Sequence, residues 1–158
     1  MQSVAPPIAV IDTGVWIDVF LHHAILDPNT PYTEILAALE QDLFRPAYSP
    51  YCRDELRWML IDSRLSKKYR ISRDAVERFV SIIFYCPTSV FVEFEEHGRY
   101  CSDPDDDPII ETAMRAQADY LVAKNGHFRE PSANEALRDA NVQLCYPDEF
   151  LDKLVERL

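Results

Sequence analysis

Apolar residues recur along the chain in two rhythms. Ile8–Ile11 and Tyr120–Ala123 are short unbroken apolar runs, the pattern of strands buried on both faces. Ser89–Phe94, carrying Val90, Phe91 and Val92, and Val142–Tyr146 read as further strands, and Arg45–Pro50 has room for a short strand before a break. Between these runs the spacing turns helical. From Pro31, Tyr32, Ile35, Leu36, Leu39 and Leu43 form one stripe; from Tyr51, Leu56, Met59 and Leu60 set a second face. Ser72 is a good N-cap for a helix bearing Ala75, Val76, Phe79, Val80 and Ile83, which Pro87 stops. Thr13–Leu21, Ile109–Gln117 and Asn134–Ala140 read as helices, and Pro147-Asp-Glu opens a last one with Phe150, Leu151, Leu154, Val155 and Leu158. Cys101–Pro108 is a loop and Asn125-Gly126 a turn. Strands alternating with helices predict parallel strands covered on both faces. The expected fold is α/β: a single three-layer α/β/α domain over residues 1–158 with a central parallel sheet.

Composition agrees and removes several function classes. The 158 residues are 47% hydrophobic and 27% charged, which is globular rather than disordered. The three glycines, Gly14, Gly98 and Gly126, are too far apart for a dinucleotide fingerprint or a P-loop. His22, His23, His97 and His127 form no HExxH or Cys/His pattern, so zinc has little support, and no GxSxG nucleophile elbow occurs. The scattered Cys52, Cys86, Cys101 and Cys145, the absence of a leader-like start and the lack of a long apolar run predict a cytoplasmic protein away from membranes.

The charge distribution is more informative than its sum. A net charge of −11 argues against coating nucleic acid by bulk attraction, though not against cutting it at a metal site. Asp12 stands at the end of the first strand, and Asn125 just after the strand Tyr120–Ala123. Asp107 opens the helix before that strand, and Glu55 lies on an early helix. Ligands of open parallel sheets bind at the carboxyl ends of strands, so these oxygens can converge there. Close carboxylates repel unless something positive sits between them, and oxygen-only ligation points to Mg²⁺ or Mn²⁺. Each residue also has a plain structural reading. Asp12 and Asp107 are natural helix caps, Glu55 a solvated helix residue, and Asp103, Asp105, Asp106 and Asp107 a hydrated loop.

The words Val10-Ile-Asp12-Thr-Gly-Val15, Ser49-Pro, Asp54-Glu55-Leu-Arg57, Asp103-Pro-Asp-Asp-Asp107 and Ala118-Asp-Tyr-Leu-Val122 resemble PIN-domain proteins. The likeness runs from Ile8 to the final helix and is greatest to the toxin branch of toxin–antitoxin systems. It implies Mg²⁺- or Mn²⁺-dependent cleavage of RNA phosphodiesters, with acidic ligands at Asp12, Glu55 and Asp107 and support from Asn125 and Asp105. It also implies a small antitoxin partner and a homodimer. Two positions depart from the family pattern. Gly14 stands where the family has Asn, and Asn125 where it has a fourth aspartate. A second reading therefore stays open, a PIN-like module that binds RNA or a protein without cutting. Finally, Arg64, Lys67, Lys68, Arg70 and Arg73 form a strip without acids. It is either a solvated connection between helices or a holder of RNA phosphates.

Overall fold

The structure is a computed structural model that describes residues 4–158; Met1, Gln2 and Ser3 lie outside the described residues. Five parallel strands form its sheet: β1 Ile8–Ile11, β2 Arg45–Tyr48, β3 Val90–Phe91, β4 Tyr120–Val122 and β5 Gln143–Cys145, in the spatial order β3-β2-β1-β4-β5. Eight helices flank it: α1 Thr13–Ala24, α2 Pro31–Glu40, α3 Pro50–Ile61, α4 Arg64–Tyr69, α5 Arg73–Phe84, α6 Asp107–Arg115, α7 Pro131–Asp139 and α8 Pro147–Glu156. The α/β class expected from the alternating pattern is the class observed.

The centre of the sheet decides where chemistry can occur. β1 pairs with β2 on one side and with β4 on the other, Ile11 standing opposite Val122. The chain therefore leaves the carboxyl ends of β1 and β4 in opposite directions, and a crevice opens between them. β1 tolerates this central place because Ala9 and Val10 are fully buried, so both faces of the strand are apolar.

Aromatic contacts fix the helices around the sheet. Trp16 on α1 meets Phe79 and Phe84 of α5 edge to face, with ring centroids 6.1 and 6.2 Å apart. Phe150 of α8 packs on Phe44 at 5.1 Å and on Tyr120 of β4 at 5.6 Å.

Two elements differ from the sequence reading. The strand expected over 89–94 pairs only at Val90 and Phe91, because its partner β2 ends at Tyr48, where Ser49-Pro50 turns the chain into α3. The basic connection contains the short helix α4, capped by Ser63 Oγ accepting from Leu65 N–H and ended by Arg70 at φ 51°. All five bases of the strip are exposed, and among the described residues none pairs with an acid.

Phe150 is fully buried, so Phe150→Ala should cost ~3–5 kcal/mol in urea unfolding. Val155 on the same helix is 67% exposed, and Val155→Ala should stay within ~0.5 kcal/mol.

Candidate metal centre

Asp12 leaves β1 at the crevice. Its N–H donates to the Val122 carbonyl at 2.9 Å, joining the ends of β1 and β4, and its carbonyl accepts from Val15 and Trp16 to begin α1. The side chain makes no capping bond and is 8% exposed. Burial, then the charges of Asp106 and Glu55, push its pKa up to about 7, while the backbone amides of Thr13 and Gly14 pull it down. A Cβ at Gly14 would stand 3.6 Å from Asp12 Oδ2, an ordinary contact. Glycine is therefore not required for space, and its absent side chain leaves one wall of the site open.

Glu55, half-buried on α3, faces the same opening. Thr13 Oγ1 donates to its Oε2 and so fixes the carboxylate against α1. Burial is the main cause that raises the Glu55 pKa; the Thr13 hydroxyl opposes it, and Asp106, Asp105 and Asp103 add to it.

The third carboxylate is Asp106. It ends the 3₁₀ turn Pro104–Asp106 and shares the walls of a cavity of about 270 Å³ with Asp12, Thr13, Glu55 and Asn125. Its Oδ2 accepts from Asn125 Nδ2 at 3.0 Å and lies 2.8 Å from His127 Nδ1. Burial raises the Asp106 pKa, against the lowering effect of His127.

Asp107, the residue expected as third ligand, is not among the residues that line this cavity. Neighbouring residues at a helix start project ~100° apart, so Asp106 and Asp107 face different surroundings. Asp107 is fully buried, and its Oδ1 accepts the N–H groups of Tyr100 and Cys101, both at 2.8 Å. It straps the preceding loop to α6, and its Oδ2 has Arg99 Nε at 4.0 Å. Asp105 is exposed and also lies outside the cavity lining. Its carbonyl receives the Tyr51 hydroxyl, and its carboxylate adds negative potential rather than a wall.

Asn125 lies in the cavity, but its oxygen is committed. Oδ1 accepts the His127 N–H at 2.8 Å, capping the turn Gly126–Arg129, which leaves the amide nitrogen toward Asp106. It braces a carboxylate instead of offering a carbonyl to a cation. Lys124 also lines the cavity, yet its ammonium pairs with Asp18 and lies over the Tyr32 ring. Among the described residues no lysine or arginine pairs with Asp12, Glu55, Asp103, Asp105 or Asp106. Asp12, Glu55 and Asp106, clustered with raised pKa values and, among the described residues, no lysine or arginine partner, are a donor set that a hard divalent cation fits.

A family model described as a PIN domain matches residues 9–127, well over half of the chain. The chain belongs to the PIN-domain family. No curated protein and no solved structure matches it. PIN domains are generally nucleases that use divalent metals, and the acidic cavity of this PIN domain sits at the switch point of its sheet. Among the described residues, no helix is long and apolar enough to cross a membrane.

Three site features escaped the sequence reading: Thr13 as the clamp on Glu55, Asp106 as the cavity acid, and His127 beside it. The acids of 103–107 were visible as a group, whereas which one turned inward depended on the phase of α6.

The raised Asp12 pKa makes a prediction for metal-free protein. An unfolded Asp12 ionises near 3.8, the ordinary value for its carboxyl, whereas the folded group keeps its proton to about pH 7. The folded state then binds more protons between these values, so this group's contribution to stability falls as pH rises through that window. In EDTA, Asp12→Asn should gain on the parent by on the order of 3 kcal/mol between pH 4.5 and 8, read from urea unfolding. A gap that does not change with pH would show that Asp12 is not a buried, strained acid.

Proposed function

We propose that this PIN domain is a metal-dependent endoribonuclease that cleaves RNA phosphodiesters. The observation that carries the reading is that Asp12, Glu55 and Asp106 line one cavity and that, among the described residues, no lysine or arginine pairs with any of them. These three carboxylates hold Mg²⁺ or Mn²⁺, Asp106 taking the place that the motif alone assigned to Asp107. A cation bound there supplies a Lewis acid for the phosphate and lowers the pKa of its bound water. Thr13 orients Glu55, and Asn125 orients Asp106 by donating to Oδ2. The five bases around α4 hold backbone phosphates. Glu55 and Ile61 are ~9 Å apart along α3, so the strip acts on the RNA rather than on the cation.

In this reading residues 1–158 are one domain, cytoplasmic, and the toxin of a toxin–antitoxin pair, homodimeric and restrained by a small antitoxin. The supporting observation is the likeness of its motifs to that branch of the family.

A second reading, a module that binds RNA or a protein without cutting, is favoured by Gly14 and by Asn125, whose oxygen caps a turn. Cleavage of single-stranded RNA in Mn²⁺ separates the two. For the enzyme, the parent cuts and Asp12→Ala loses ~10²–10³-fold, the equivalent of several kcal/mol of lost charge stabilisation. A silent parent that Asn125→Asp makes active supports the second reading.

The strip has its own test. Lys67→Glu with Lys68→Glu should weaken RNA binding and flatten its salt dependence by roughly 0.7 log units per lost phosphate contact, with Mn²⁺ uptake unchanged. Unchanged affinity and slope would leave α4 as a solvated helix.

A further inference from the structure

We infer that a second cavity, walled by Tyr32 and Tyr146 beside the acidic one, is a base pocket that seats an unpaired guanine of single-stranded RNA. The inference deepens the nuclease reading and rests on it for the class of substrate. Strands β4 and β5 are neighbours, with Val122 opposite Cys145, so the residues that follow them emerge side by side at the carboxyl edge of the sheet. Lys124 and Tyr146 are among those residues, and with Tyr32, Asp148 and Glu149 they line a cavity of about 380 Å³. Ligand pockets run ~300–1,000 Å³, so a single base is within its capacity. Lys124 also lines the acidic cavity, so a strand lying in one continues into the other.

The aromatic walls are fixed before a base arrives. Arg129 lies over one face of the Tyr146 ring, 3.7 Å from its centroid, and Tyr146 is still 41% exposed. A base on the opposite face completes a stack of guanidinium, phenol ring and purine. The Arg129 guanidinium is held by the carbonyls of Ala123 and Asn125, neutral partners that leave its positive charge beside the pocket. Tyr32 is steadied by His22, with ring centroids 4.9 Å apart, and by the Lys124 ammonium. Unpaired RNA bases are commonly read by stacking on such side chains.

Asp148 and Glu149 give the pocket its preference. Both are exposed in the first turn of α8, and among the described residues neither is in an ion pair. A carboxylate only accepts, and its two oxygens match two adjacent donors. Guanine alone of the four RNA bases carries such a pair, N1–H and N2–H, on its Watson–Crick edge. Adenine and cytosine offer one amino group, and the uracil N–H sits between two carbonyl oxygens that a carboxylate repels. Lys124 serves the backbone instead. Its ammonium has three donors and its side chain is 44% exposed, so with Asp18 in place it still has a donor for a phosphate passing between the cavities.

Equilibrium binding in EDTA, where a metal-dependent reaction is silent, tests the pocket apart from the chemistry. The probes are fluorescent oligouridylates carrying one central guanosine, inosine, adenosine or cytidine, or none, titrated with the intact chain. The guanosine probe should bind roughly tenfold tighter than the all-uridine one. Inosine, which lacks the N2 amino group, should fall between them. Tyr146→Ala should erase most of the gain and Tyr146→Phe should keep it, with a circular dichroism melt verifying that both are folded. Asp148→Asn with Glu149→Gln, at exposed positions, should level the guanosine and uridine affinities without lowering the uridine one. A guanosine preference of this kind in a protein that cuts no RNA in Mn²⁺ upholds the pocket and removes the nuclease reading. Cleavage in Mn²⁺ with equal affinity for all probes overturns the pocket and leaves the nuclease reading standing. A preference that survives both Tyr146→Ala and the carboxylate variant overturns the pocket as well, as does a failure to bind any probe.

Discussion

The parallel pairing of β1 with both β2 and β4 is the constraint on which the site depends. It forces the chain to diverge at Ile11 and Val122, and the hydrogen bond from Asp12 N–H to the Val122 carbonyl fastens the two strand ends at that point. Asp12 is thereby held at its backbone, while among the described residues its carboxylate pairs with no lysine or arginine. Glu55 arrives from α3, which leaves the neighbouring strand, and Asn125 from the exit of β4. Each of these side chains comes from a different crossover, so the sheet holds their separation.

The protein holds like charges together, and its hydrogen bonds are arranged accordingly. Thr13 donates to Glu55, Asn125 to Asp106, and two backbone N–H groups to Asp107. Neutral donors steady an anion without cancelling its field, whereas a lysine or arginine would cancel it. The ammonium of Lys124, which lines the cavity, is drawn off by Asp18 and Tyr32.

Much of this was legible in the residues. Asp12 could be read because an apolar strand ends on it, and Glu55 because Leu56, Met59 and Leu60 fix the phase of its helix. The choice between Asp106 and Asp107 was not legible. Asp107-Pro108 has the form of a helix start, but three consecutive aspartates carry no mark of where a 3₁₀ turn gives way to α6. That joint sends Asp106 to the cavity and Asp107 to the Tyr100 and Cys101 amides. His127 was hidden for a similar reason. Its partner lies 21 positions earlier, and the cap that aims it is made by Asn125, a residue first considered for its oxygen. α4 left no periodic signal because none of its six residues is fully buried.

The Arg129 clamp ties parts of the chain that the family likeness separates. The matched region ends at His127, two residues before this arginine. Its guanidinium grips the carbonyls of Ala123 and Asn125 from one side and the face of Tyr146 from the other, immediately ahead of α8. The last strand and helix are consequently a buttress for the β4 exit rather than an appendage. The Arg129 guanidinium and the Ala123 N–H bond to the Cys145 carbonyl together tie the segment ahead of α8 to the loop that holds Asn125 and His127, so the far end of the chain is mechanically geared to the acidic basin.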